Sequence, residues 1–216
     1  MKAFIFDLDG TLLDSMGIWT EIDVKFLAAR GIVAPDDYAE KISAMSFLQA
    51  ARYTIARFGL AEDEQSILRE WNEMARRAYA SEIPMKRGAL EYVRELKARG
   101  APLAIATSAL PELCELALRR YGALDLFDAI CNSAETGQGK DRPDVFLLAA
   151  RRLGARPEDC VVFEDVAGAV KSAKRAGMKV CALYDEASRA DWEEMRGIAD
   201  FSLRDFTNAL SLIGFP

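Results

Sequence analysis

Residues 3–13 read Ala3-Phe4-Ile5-Phe6-Asp7-Leu8-Asp9-Gly10-Thr11-Leu12-Leu13. Four apolar residues without alternation suit a short strand covered on both faces. Two carboxylates, two positions apart, follow at the strand's carboxyl end, where unpaired charge is costly to bury. A divalent cation would neutralise the pair. Gly10 permits a tight turn and close approach of a ligand. The spacing lets one Asp act as a nucleophile and the other as an acid and base.

Working outward, further apolar runs read as buried parallel strands at 102–106, 161–163 and 179–183, with a weaker one at 129–131. Helical patterns lie between them and end at Gly100, Gly122, Gly154 and Gly177, where a helix stop is expected. Strand and helix in alternation predict an α/β fold with a doubly wound parallel sheet. One interval breaks the rhythm. More than ninety residues separate the first strand from the second, whereas a crossover needs about a dozen. Helical stretches at 18–29, 44–58 and 64–79 fill it. The expected organisation is a core of residues 1–14 and 84–216 with a helical insertion, 15–83, returning through Glu82-Ile83-Pro84. An insertion leaving from the carboxyl end of the first strand is placed to cap a ligand site.

Composition narrows the chemistry. The 216 residues carry 28 basic and 34 acidic side chains, a net charge of −6, and no histidine. Imidazole bases, Ser-His-Asp triads and His-based metal sites are thereby excluded. The acidic balance speaks against nucleic-acid or membrane partners. Cys114, Cys131, Cys160 and Cys181 form no Cys-x-x-Cys pair, so a zinc knuckle or redox dithiol is not expected. A reduced, cytoplasmic monomer is the expectation.

Three further groups fall at predicted strand ends. Thr107-Ser108 offers a hydroxyl and a backbone N–H at a helix start to a phosphate oxygen, although a helix cap has the same appearance. The stretch Gly137 to Asp144 brings backbone close and supplies Lys140 as a point charge. Glu164-Asp165 delivers a second acidic pair, suited to a hard cation such as Mg²⁺.

Taken in order, Asp7 to Thr11, Thr107, Lys140 and Glu164-Asp165 resemble the four motifs of the haloacid dehalogenase-like superfamily. Lys140 to Asp144 and Phe163 to Gly177 are most similar to its β-phosphoglucomutase-like phosphatase branch. The resemblance implies a Rossmann-like core with a helical cap and a Mg²⁺-dependent phosphatase acting on a small phosphorylated metabolite. It implies that Asp7 forms an aspartyl-phosphate and that Asp9 protonates the leaving oxygen and then activates water. Thr107 and Lys140 would grip the phosphoryl oxygens, with Ser108 a candidate substrate contact beside Thr107. Asp7, the Asp9 backbone carbonyl and Asp165 would hold Mg²⁺, with Glu164 as a ligand or supporting group. A sugar phosphomutase and an inactive binding protein of the same fold are the alternatives.

The chain departs from the branch in places. Val166 and Ala169 stand where Ser and Gly are usual. The cap stretch Ala44-Met45-Ser46-Phe47 lacks the Arg of the usual Gly-x-Ser-Arg, and Trp19 stands where the mutases place a His. Those two losses favour hydrolysis over isomerisation. Trp19, Met45 and Phe47 are the candidate substrate contacts of the cap.

Overall fold

The structure is a computed structural model that describes residues 2–43, 45 and 47–214. The described chain divides into two compact units, one being Gly17–Glu82 and the other the remainder. The larger unit holds one sheet of β1 (Ala3–Phe6), β2 (Leu103–Thr107), β3 (Ala129–Asn132), β4 (Cys160–Glu164), β5 (Lys179–Leu183) and β6 (Phe201–Leu203). Every neighbouring pair is parallel, in the order β3-β2-β1-β4-β5-β6. The order reverses at β1, so the loops after β1, β2 and β4 diverge around one crevice, where ligands of open α/β sheets bind. The doubly wound α/β expectation is met.

Alternate side chains of each buried strand enter different cores. Ala3 and Ile5 of β1 join Ala104, Ala106, Val162 and Val180 against α7 (Asp144–Arg152), α8 (Ala167–Arg175) and α9 (Trp192–Ile198). Phe4 and Phe6 point the other way, into an aromatic cluster. Phe6 stacks on Phe163 at 4.4 Å, and Tyr92 of α5 (Ala89–Ala98) lies 5.6 Å from Phe163. Two-sided burial is why these strands read as continuous apolar runs. Stops behave as expected: Gly177 follows α8 at φ 81°, a left-handed conformation that a side chain disfavours. α6 (Pro111–Arg120) completes the central helices, and α10 (Ala209–Ile213) follows β6. β6, α9 and α10 escape the sequence reading because three to seven residues carry too little periodicity.

The smaller unit consists of α1 (Ile18–Ala28), α2 (Tyr38–Ser43), α3 (Phe47–Phe58) and α4 (Glu64–Arg77), the last running into a π-helical turn over Ala78–Glu82. α4 starts where Asp63 accepts a hydrogen bond from the Ser66 amide at 2.7 Å, a side-chain cap. Of the cap stretch, Ala44 and Ser46 lie outside the described residues. Phe26 and Trp71 pack edge-on at 5.4 Å in the unit's core. Arg30 covers the Phe26 ring and bonds both Glu62 and Glu70, tying the turn after α1 to the loop before α4 and to α4 itself. No helix among the described residues is long and apolar enough to cross a membrane.

Asp23 of α1 is half-buried and burial pushes its carboxyl up to about 7. A raised acid pKa means the folded chain holds a proton that the unfolded chain has released. Stability at this site is therefore greatest below the ordinary value and falls as pH rises toward 7. Asp23→Asn should stabilise the fold by ~1–2 kcal/mol at pH 8, the gain being held down because water still reaches the site, and by much less at pH 4. Thermal melts at the two pH values check this; an equal shift at both would assign the gain to packing.

Candidate active site

The first acidic pair sits on a hairpin-tight loop after β1. Leu12 and Leu13 amides both donate to Leu8 O, and the Gly10 amide donates to Leu13 O at 2.9 Å. Gly10 adopts φ 80°, and a Cβ there would lie 2.2 Å from Asp165 Oδ2. Glycine is required on two counts, for the backbone and for the space that Asp165 fills. The outgoing chain then runs antiparallel to the returning chain, with Asp14 N donating to Pro84 O and Lys86 N to Leu12 O. Lys86 locks this crossing through Asp185 at 2.6 Å and Asp14 at 3.7 Å.

Asp7, Glu164 and Asp165 converge from β1 and β4, and each offers an oxygen within 4.8 Å of the others. Asp7 is 4% exposed and the other two are fully buried. Lys140 reaches into this group, 2.5 Å from Asp7 Oδ1 and paired with Glu164 Oε1. Burial by itself would lower the ammonium's pKa, but the Asp7 and Glu164 charges overcome it and raise it. Glu164 is pushed up to about 7 by burial and the Asp7 charge, against the pull of Lys140. Burial, then the charges of Glu164 and Asp7, hold the Asp165 carboxyl well above the usual range. Three acids with one cation among them form a site short of positive charge.

The two oxygens of Glu164 are engaged. Oε1 is ion-paired with Lys140, though without a hydrogen bond among the described residues, and Oε2 accepts the Asp165 and Val166 amides at 3.0 and 3.2 Å. Asp165 differs. Its Oδ1 accepts from Thr11 Oγ1 at 2.8 Å, while its buried Oδ2 has no partner. A buried carboxylate oxygen without a donor is what a hard cation would satisfy.

Thr107 ends β2, and its Oγ1 accepts the Ala109 amide at 3.0 Å. That bond leaves its hydroxyl proton free to donate. Ser108 is not at a helix start, contrary to the sequence expectation, because α6 begins at Pro111 and the residue before it makes no side-chain cap. The chain turns first on Thr107 instead. The neighbouring strand holds this loop, since Asn132 Nδ2 donates to Ala109 O and Ser133 Oγ to Ser108 Oγ. Pro143 immediately precedes α7. Asp7, Asp9, Thr107, Ser108, Lys140 and Glu164 all border one cavity of about 330 Å³. Trp19 and Phe47 lie together on the smaller unit, edge to face at 5.6 Å and each about 40% exposed, and Met45 is half-buried.

Sequence reading missed Ser15, Thr11 as a partner of Asp165, and Asn132. Ser15 is 2% exposed, and its Oγ donates to Asp9 Oδ1 at 2.6 Å. A serine six residues beyond a carboxylate carries no signal until the loop folds back.

Residues 1–177 match the family described as haloacid dehalogenase-like hydrolase. The chain is 32% identical to a Drosophila melanogaster protein named "Probable pseudouridine-5'-phosphatase", across 94% of this chain and 92% of that one. It is 30% identical to hexitol phosphatase A of Escherichia coli K12, across 84% and 82% of the two chains. Among solved structures, CbbY from Rhodobacter sphaeroides in complex with phosphate is similar at a TM-score of 0.75 and 28% identity, with 95% of each chain covered.

Proposed function

The chain belongs to the haloacid dehalogenase-like hydrolases and is a phosphoric monoester hydrolase of that family, and on that premise we propose that it is a Mg²⁺-dependent phosphatase of small phosphate monoesters, working through an aspartyl-phosphate on Asp7. The single observation that carries this reading is the buried set Asp7, Glu164 and Asp165 with one cation, Lys140, and two oxygens without a hydrogen-bond donor among the described residues, Glu164 Oε1, which has only its ion pair with Lys140, and Asp165 Oδ2, which has neither. The donor set is all oxygen and fits a hard cation. Asp7, Asp165 and the Asp9 backbone carbonyl would hold the ion. Glu164, with both oxygens engaged, instead anchors Lys140 and the amides of the Asp165 loop. When bound, Mg²⁺ supplies positive charge that lets a phosphate dianion approach a carboxylate.

The chain's own residues supply the rest. Lys140 neutralises Asp7 and offers its remaining protons to a phosphoryl oxygen. Thr107, turned by the Ala109 amide, donates to another, and Ser108 lies beside it on the same wall. Asp7 attacks phosphorus in line as Asp9 gives its proton to the departing alcohol oxygen. Asp9, then a carboxylate, takes a proton from the water that hydrolyses the phosphoenzyme. Ser15 fixes the Asp9 carboxylate for both steps. Positioning and charge neutralisation of this kind are most of what phosphoryl transfer requires. The insertion 15–83 is read as the cap that selects substrate, with Trp19, Met45 and Phe47 as its contacts. In this reading the protein works as a cytoplasmic monomer.

The test is release of phosphate from p-nitrophenyl phosphate. Activity should vanish with EDTA and return with Mg²⁺. Asp165→Ala should raise the Mg²⁺ requirement or lower turnover at least about 10²-fold. Full activity in metal-free buffer would overturn the metal-dependent reading.

A further inference from the structure

Asp141 follows Lys140 and borders the same cavity, together with Asp9, Val166 and Gly168. It is exposed, and among the described residues no hydrogen bond or ion pair engages its carboxylate, although Arg175 Nη2 holds its backbone carbonyl at 2.5 Å. One glycine makes room for the side chain and a second lies in contact with it. A Cβ at Gly139 would lie 2.7 Å from Asp141 Oδ1, and one at Gly168, in the first turn of α8, 4.0 Å from Asp141 Cβ. Neither glycine has a positive φ, so backbone conformation does not demand them. At Gly139 it is the space that matters, and the Asp141 side chain occupies it. The carboxylate is thus folded back over Gly139, on a residue that borders the cavity beside Gly168.

Its effect follows from the charges around it. The residues bordering the cavity include one cation, Lys140, already shared between Asp7 and Glu164. A leaving group with a second negative charge finds no cation on this wall and meets Asp141. A leaving group with hydroxyl or ammonium protons finds a free acceptor.

We propose that Asp141 is a specificity-determining residue that selects phosphate esters whose leaving alcohol carries hydrogen-bond donors and no second anionic group. This rests on the phosphatase reading, and the two can fail separately. The experiment compares kcat/KM of the Mg²⁺-supplied protein on four three-carbon monophosphates: propyl phosphate, glycerol 3-phosphate, 3-aminopropyl phosphate and 3-phosphoglycerate. The unaltered protein should prefer glycerol 3-phosphate and 3-aminopropyl phosphate over 3-phosphoglycerate by at least about tenfold, equivalent to ~1.4 kcal/mol. Asp141→Asn should shrink both preferences to roughly threefold or less, and Asp141→Lys should favour 3-phosphoglycerate. The same ratios in the unaltered protein and in Asp141→Asn would overturn the role of Asp141 and leave the hydrolase standing. No phosphate released from any ester, p-nitrophenyl phosphate included, would overturn the phosphatase reading and this proposal with it.

Discussion

Asp7→Asn should reduce phosphate release by about 10⁴-fold or more while leaving the protein folded. Loss of the group that forms the covalent intermediate removes the pathway itself rather than one contact within it. The substitution keeps the volume of a side chain that is 4% exposed. It also takes one negative charge from a cluster in which three acids share one lysine. The melting temperature of the metal-free protein should therefore hold or rise, although Lys140 loses one of its two partners. Steady-state rates on p-nitrophenyl phosphate and a thermal melt check the two halves. Turnover close to that of the unaltered protein would remove Asp7 from the nucleophile's role.

Lys140→Ala should damage both activity and stability, and the two losses should be separable. Lys140 lies 2.5 Å from Asp7 Oδ1 and pairs with the fully buried Glu164. Deleting the cation strands two buried carboxylates, a loss of about 3–5 kcal/mol, or roughly 6–20 °C in a chain of this length. Turnover should fall on the order of 10²–10³-fold, the usual effect of removing one donor to transition-state charge. A second variant separates the causes. Adding Glu164→Gln to Lys140→Ala removes one stranded charge and should recover much of the stability while leaving activity low. Recovery of activity together with stability would show that Lys140 acts only by holding the fold.

The strand-end chemistry was legible in sequence because burial makes it conspicuous. Charged residues directly after a four-residue apolar run, as at Phe6-Asp7, stand out against a pattern that admits no charge. Lys140 was legible less from its own surroundings than from its order between Thr107 and Glu164. Elsewhere the local pattern misled or was silent. Thr107-Ser108 looks like a helix start, yet Pro111 opens the helix, because the Thr107 hydroxyl makes a turn with the Ala109 amide instead. A side chain that can cap a helix can equally bond an amide two residues on, and sequence does not distinguish the two. The three residues of β6 are held by pairing with β5, a contact that no window of sequence contains.

By itself the sequence determined the parallel α/β core, since its strands are apolar on both faces and its helices recur between them. It marked out too the candidate site residues, because no histidine is available, the acids stand at strand ends and Lys140 lies in the loop before α7. What only the tertiary structure decided is how those groups are paired. Folding brings Ser15 onto Asp9, Thr11 onto Asp165 and Asn132 onto the loop after β2, pairings separated by 6 to 154 residues. It also gives Glu164 to Lys140 while leaving Asp165 Oδ2 without a donor, although the two acids are adjacent in sequence. The physical reason is direction. Consecutive residues at a strand's end point their side chains to different sides, so Glu164 turns to Lys140 at the cavity while its neighbour Asp165 turns to Thr11 and the space beside Gly10.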